Sequence, residues 1–225
     1  ELLCLDCSKL FESLGEYARA EEWARRGLKV GVASMDPQLR SALAVALLRQ
    51  GQLDSAEVHS RLAVEGLPVS PTLRLYHGAV LQEMMRFEEA HAEFKRAFTM
   101  SGGDPRIRLN IAQALGQLGR FEEAVEELSR VPPGHPERGI AVRDMCVLLI
   151  NHLNRPADGL NALRESIRLD PNQPDAAQIR RHIARIEALW DMHKRLRSYF
   201  PHLPEAVVGA RSIRTGEYYR AAGHE

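Results

Sequence analysis

The sequence lacks most of what marks a specialised protein class. Three cysteines in 225 residues cannot build a disulfide framework, which points to a reducing, cytoplasmic compartment. No apolar run approaches the ~20 residues that span a bilayer, and no signal-peptide pattern is present. Neither sign of charge prevails, because thirty basic and thirty acidic residues cancel. No global field therefore recruits nucleic acid or an anionic membrane. The signatures of catalysis are missing too: no GxGxxG, P-loop, GxSxG or HExxH occurs.

Isolated chemistry-bearing residues fare no better. Nine histidines are scattered, and His182 and His193 lack a carboxylate or histidine at ligand spacing, whereas a metal site needs at least three convergent ligands. Cys4-Leu-Asp-Cys7 has the CxxC spacing of redox pairs and half zinc sites, but no second pair exists and no βαβ context surrounds it. These cysteines, Cys146 and His77 read as core positions of helices. No metal, no cofactor and no enzymatic activity is expected.

What is present is a period. Gly15-Glu-Tyr-Ala-Arg-Ala20, Gly51-Gln-Leu-Asp-Ser-Ala56, Met85-Arg-Phe-Glu-Glu-Ala90 and Gly119-Arg-Phe-Glu-Glu-Ala124 share one plan. Their alanines recur at intervals of 36, 34 and 34, and Gly159 takes the same slot 35 further on. Before each turn, apolar residues fall at helical spacing, as in Leu43, Ala44 and Leu47 or Ile111, Ala112 and Leu115. After it, a second amphipathic run follows, such as Ala90, Phe94 and Ala97 or Ala124, Leu128 and Val131. Each run stops near Pro or Gly, at Asp36-Pro37, Gly66-Leu-Pro68, Gly102-Gly-Asp-Pro105, Pro132-Pro-Gly134 and Asp170-Pro171. The pattern predicts helix pairs that stack because none can bury its apolar face alone. Ala90 and Ala124 should lie where helices touch, and Glu127 should face outward.

These residues resemble the tetratricopeptide repeat family, whose pattern of bulky, glycine, tyrosine-like, alanine and aromatic positions spans ~34 residues. The third copy carries it best, with Gly78, Leu81, Phe87, Ala90, Phe94 and Ala97. The bulky first-helix slot departs from the family, being Cys4, Arg40, Arg74, Arg108 and Arg143. The resemblance implies an all-α, right-handed superhelix of five repeats, at about 1–36, 37–70, 71–104, 105–138 and 139–172. Residues 173–200 read as a long amphipathic helix that caps or connects, with Ile179, Ile183, Ile186, Trp190 and Leu196 on one side. Gly216-Glu-Tyr-Tyr-Arg-Ala221 repeats the first turn, so 201–225 is expected to begin a further, truncated repeat, and the chain to be an excerpt of a longer one. The apolar residues Val207, Val208, Tyr218 and Tyr219 there could drive self-association.

The resemblance also implies where function sits, because first helices of this family line a concave groove. The groove positions are Val45, Leu48, Leu75, Tyr76, Gln82, Leu109, Asn110, Gln113, Gln117, Met145, Leu148, Asn151 and His152. Relatives that clamp a C-terminal carboxylate do so with lysines, arginine and asparagines. The matching positions here, Leu5, Lys9, Ala42, Thr72 and Tyr76, keep only Lys9, which disfavours such a clamp. Apolar slots with amides suit a protein or peptide segment with apolar anchors. Arg40, Arg74, Arg108 and Arg143 recur at intervals of 34, 34 and 35 and form a second, anionic-ligand candidate. Against that use, their stems can pack between helices while each guanidinium reaches a glutamate, as in Glu88-Glu89 or Glu122-Glu123. Two functions fit: a scaffold or adaptor, or a regulatory or substrate-presenting module of a larger enzyme.

Overall fold

A computed structural model describes residues 2–31, 35–169, 171–172 and 176–199, apart from the side chains of residues 190, 193, 196 and 197. The expected truncated repeat at 201–225, with Val207, Val208, Tyr218 and Tyr219, lies outside the described residues. Eleven α-helices and no strand occur among those described. They are α1 (Leu2–Ser13), α2 (Tyr17–Val30), α3 (Asp36–Arg49), α4 (Leu53–Gly66), α5 (Pro71–Glu83) and α6 (Phe87–Met100). The series continues with α7 (Pro105–Gln117), α8 (Phe121–Ser129), α9 (Arg138–Asn151), α10 (Pro156–Leu169) and α11 (Ala176–Tyr199).

Local chemistry sets the ends of these helices. Pro71 and Pro105 occupy first-turn positions that have no N–H partner to lose. Ser70 and Asp104 cap those same helices, accepting hydrogen bonds from the Leu73 and Arg106 amides. In the first three pairs the turn between the helices is closed the same way. The amides of Glu16, Gln52 and Arg86 donate to the carbonyls of Phe11, Leu47 and Leu81, five residues back, at 2.8–2.9 Å. This closure needs a left-handed residue just before the donor, supplied by Gly51 at φ 75 but by Met85 at φ 60 in the third turn.

The chain divides into two compact units at Leu118 and Gly119. In the first, each helix packs on its chain neighbour, and Leu5, Ala24, Leu39, Leu43, Leu47, Ala56 and Val80 form a shared core. Ala20, Ala56 and Ala90 are fully buried, as is Ala124 in the second unit, so the periodic alanines do mark closely packed positions.

In the second unit α9 packs on α8 and α10, and α11 covers α10. Ile179, Ile183 and Ile186 of α11 join Cys146, Leu163, Ile150 and Ile167 in its core. Val131 is buried but lies beyond the end of α8, which the Pro132-Pro133 pair follows closely. A buried arginine satisfies the carbonyls this leaves. Arg138 Nη1 donates to the carbonyls of Ser129 at 3.0 Å and Val131 at 2.9 Å, and Nη2 donates to Glu165 at 3.1 Å. A cation at a helix C-terminus is also favoured by the helix dipole. Glu127 does not face outward as expected. Its side chain is mostly buried and accepts from Arg130 at 3.0 Å.

Candidate functional site

Helix packing in the first unit separates two faces. Beyond the neighbour contacts, α1 packs on α3 and α3 on α5, whereas α2, α4 and α6 make no contact of that extent with one another. Helices that approach one another more closely lie on the inside of a curve. By that measure α1, α3 and α5 share an inner face.

Small residues permit the approach, and they correct one expectation. Val45 is only 8% exposed, in a stretch of α3 where Ser41 to Leu47 are all buried. It belongs to the packing beneath the face rather than to a groove lining. The remaining positions of this unit are more open. Tyr76 is 41% exposed. Leu48, Leu75, Gln82, Leu109 and Asn110 are half-buried, and Gln113 and Gln117 are exposed. Tyr76 and Asn110 hold equivalent places on α5 and α7. The Oε1 atoms of Gln38 and Gln82 are buried and accept no hydrogen bond among the described residues.

The second unit carries the other four positions. Met145 is 9% exposed and belongs to the interior of α9, for the same reason as Val45: its side of the helix is packed. Leu148 and Asn151 are half-buried, while His152 is exposed and stacks on Phe121 with ring centroids 4.0 Å apart.

The arginines are engaged within the fold. Arg74 Nη1 donates to Glu93 at 2.9 Å, and its Nε and Nη2 donate to the Pro68 carbonyl at 3.2 and 3.1 Å. Arg40 lies 3.5 Å from Asp36, and the Arg108 guanidinium sits over the Phe98 ring at 4.4 Å from its centroid. Arg143 is exposed in the second unit and is likewise engaged. The anticipated glutamates serve other arginines: Glu89 accepts from Arg86, and Glu123 from Arg120. A depression of about 350 Å³ lined by Arg74, Lys95, Arg96, Thr99 and Met100 opens beside the Arg74–Glu93 pair. The second oxygen of Glu93 is held by Arg96.

Chemistry-bearing groups do not converge. Among the described residues, no three His, Cys, Asp or Glu side chains could share a metal ion. Cys4 and Cys7 are half-buried, and Cys4 packs against the core of the first unit. Cys146 is buried, and burial pushes its thiol up to about 11. Among the described residues, no helix is long and apolar enough to cross a membrane.

Comparison with known proteins agrees with the helix pairing. Two tetratricopeptide repeat family models match the chain, over residues 8–68 and 81–149, together more than half of it. No curated protein sequence matches. Solved structures do. One is YrrB, described as a TPR protein with an unusual peptide-binding site. It has a TM-score of 0.59 at 17% identity, over 79% of this chain and 90% of that one. Another is MamA, residue 41 to the end, from Desulfovibrio magneticus RS-1. It has a TM-score of 0.65 at 14% identity, over 76% of this chain and 96% of that one. Identities this low speak for the fold alone. The repeated turns, the buried alanine slots and both family matches lead to one assignment: the chain is an all-α solenoid that belongs to the tetratricopeptide repeat family.

Proposed function

We propose that this chain is a scaffold or adaptor that holds a segment of a partner protein on the inner face of its first unit. Stacked repeats of this kind build extended concave surfaces suited to protein–protein interaction. The observation that carries the reading is Tyr76, which stays 41% exposed on the inner-face helix α5, with half-buried Leu75 beside it. A large amphipathic ring left open among apolar neighbours is the commonest kind of binding anchor. Asn110 and Gln113 on α7 supply amides that can pair with a peptide backbone. The arginines lend little support to an acidic partner, since Arg74 is spent on Glu93 and Pro68. YrrB, of similar fold, is described as having a peptide-binding site, which supports the same use here by analogy.

The test is selection of short random peptides by display on the whole chain, with a Tyr76→Ala/Asn110→Ala variant as counter-screen. Selected peptides should carry apolar anchors, bind the parent with weak salt dependence, and lose at least about tenfold in affinity to the variant, the loss expected from removing one anchor. The variant should melt close to the parent, because both side chains are partly open. Peptides that are acidic, salt-sensitive and indifferent to the double substitution would place the site elsewhere.

A further inference from the structure

The three seams between successive helix pairs of the first unit can be compared position by position. Where one pair meets the next, the second helix contributes Ala24, Ser60 or Phe94, and the following first helix contributes Leu43, His77 or Ile111. All six residues are buried. Two seams are wholly apolar at this register. The seam between α4 and α5 has both members replaced by polar groups, and the two replacements bond each other. Ser60 Oγ and His77 Nδ1 are 2.9 Å apart, with Ser60 at 1% and His77 at 9% exposure. Ser60 Oγ also donates to the Glu57 carbonyl at 3.0 Å. When that hydroxyl hydrogen goes to Glu57, His77 Nδ1–H is the donor between the two helices and Nε2 gains the proton in acid; when it goes to His77, Nδ1 is the acceptor and protonation there breaks the bond.

The surroundings of an imidazolium here are already neutralised. Glu57 and Arg61 of α4, Arg86 ahead of α6, and Glu89 and Glu93 of α6 are the charged groups that act on the ring. Glu93 is bonded by Arg74 and Arg96, Glu89 by Arg86, and Glu57 lies within 3.6 Å of Arg61 and 3.8 Å of Arg86. Arg61 also donates to Glu65 at 2.9 Å, so four carboxylates face four guanidiniums and the cluster is balanced before His77 takes up a proton. The core members that α3 contributes beside Val80 of α5 are apolar.

We propose that the Ser60–His77 seam is a pH-sensitive joint, in which protonation of His77 at mildly acidic pH loosens the packing of α4 on α5. Burial holds the His77 imidazole below its ordinary range, with the nearby carboxylates only partly opposing this. As pH falls, the opened form takes up its proton first, near the ordinary histidine value of about 6.5. The closed seam therefore loses stability below that pH, and the loss levels off once His77 in the closed form is protonated too. Loss of a partner in acid would rest additionally on the inner-face reading, because α5 carries Leu75 and Tyr76. The joint itself does not depend on that reading, and its test uses no partner.

Hydrogen exchange of the whole chain, corrected for intrinsic rates, would be compared at about pH 7.5 and about pH 5.5, on either side of the histidine range. In the parent, protection of the α4 and α5 amides should fall by up to about tenfold per unit of separation between the open and closed histidine values. The amides of α1 and α2 should change less. Two variants remove the titration. His77→Gln keeps a neutral partner for Ser60, and Ser60→Ala/His77→Leu copies the Ala24–Leu43 seam before it. His59, which is held low by burial and by Arg40 and Arg25, stays in all three proteins. A fall in protection that is clearly smaller in whichever variant is folded than in the parent supports the joint, the remainder belonging to His59. Unchanged protection in the parent, or a fall of equal size in the variants, overturns it.

Discussion

Phe94 lies directly over the bare Cα of Gly78, so closely that a Cβ at residue 78 would come within 2.6 Å of the phenyl ring. Phe94 is fully buried, so the ring has no open space to retreat into. Glycine costs a helix up to about 1 kcal/mol relative to alanine, yet here the missing methyl is what allows α5 and α6 to close. Gly78→Ala should therefore lower stability by about 1–3 kcal/mol rather than raise it. Most of that loss should vanish when the same change is made with Phe94→Leu. Chemical denaturation of the two single variants and the double closes the cycle. Equal losses in both backgrounds would show that the ring is not the obstacle.

The Arg74–Glu93 pair makes a second contrast. Its side chains are 17% and 11% exposed, so both charges have left much of their water behind. Arg74→Glu would set a new carboxylate against Glu93, with only Arg96 left to balance them. A loss of about 1–3 kcal/mol is expected, below the cost of breaking a fully buried pair because some solvent still reaches both groups. Lys95→Glu, on the open surface beside it, should stay within about 0.5 kcal/mol of the parent. Matching melting temperatures for the two charge reversals would mean that the pair contributes nothing.

The cysteines should separate by reactivity. With its thiol pushed up to about 11 by burial, Cys146 holds only about one part in a thousand as thiolate at pH 8. Cys4 and Cys7 are half-buried and reach solvent. Brief alkylation followed by mass spectrometry should mark Cys4 and Cys7 first, and Cys146 only after denaturant is added. Early labelling of Cys146 in the native chain would mean that α9 opens readily.

Much of this fold could be read from the order of residues, because its contacts repeat. Ala20, Ala56, Ala90 and Ala124 are buried without remainder, and the period that picks them out is set by helix-to-helix contact inside each pair. Features that depend on more than one pair were harder to see. Val45 and Met145 point from their helices in directions that periodicity treats as open, but neighbouring side chains close over them. Arg74 does reach a glutamate of the following helix, as expected, but which one could not be read. Glu89 lies three residues from Arg86 and is taken by that local pair, which leaves Glu93 for Arg74. Arg138 went unnoticed as a buried residue, although one signal pointed to it: Pro132-Pro133 cuts α8 short and leaves carbonyls that need a donor. The candidate site was legible only as a face. Tyr76 and Asn110 fell on it by register, while their exposure had to come from the packed structure.

The nearest-neighbour packing of the first unit also bears on how the chain is made. α1 meets α2 and α3, α3 meets α4 and α5, and the turns that join paired helices are only a few residues long. Nothing in the Leu5–Val80 core has to wait for residues beyond α5. Short loops cost little entropy to close, and contacts between chain neighbours form fast. A nascent chain emerging N-terminus first could lay each pair on the one before it while later pairs are still inside the ribosome. Each new pair would then cover the apolar edge left by the one before it.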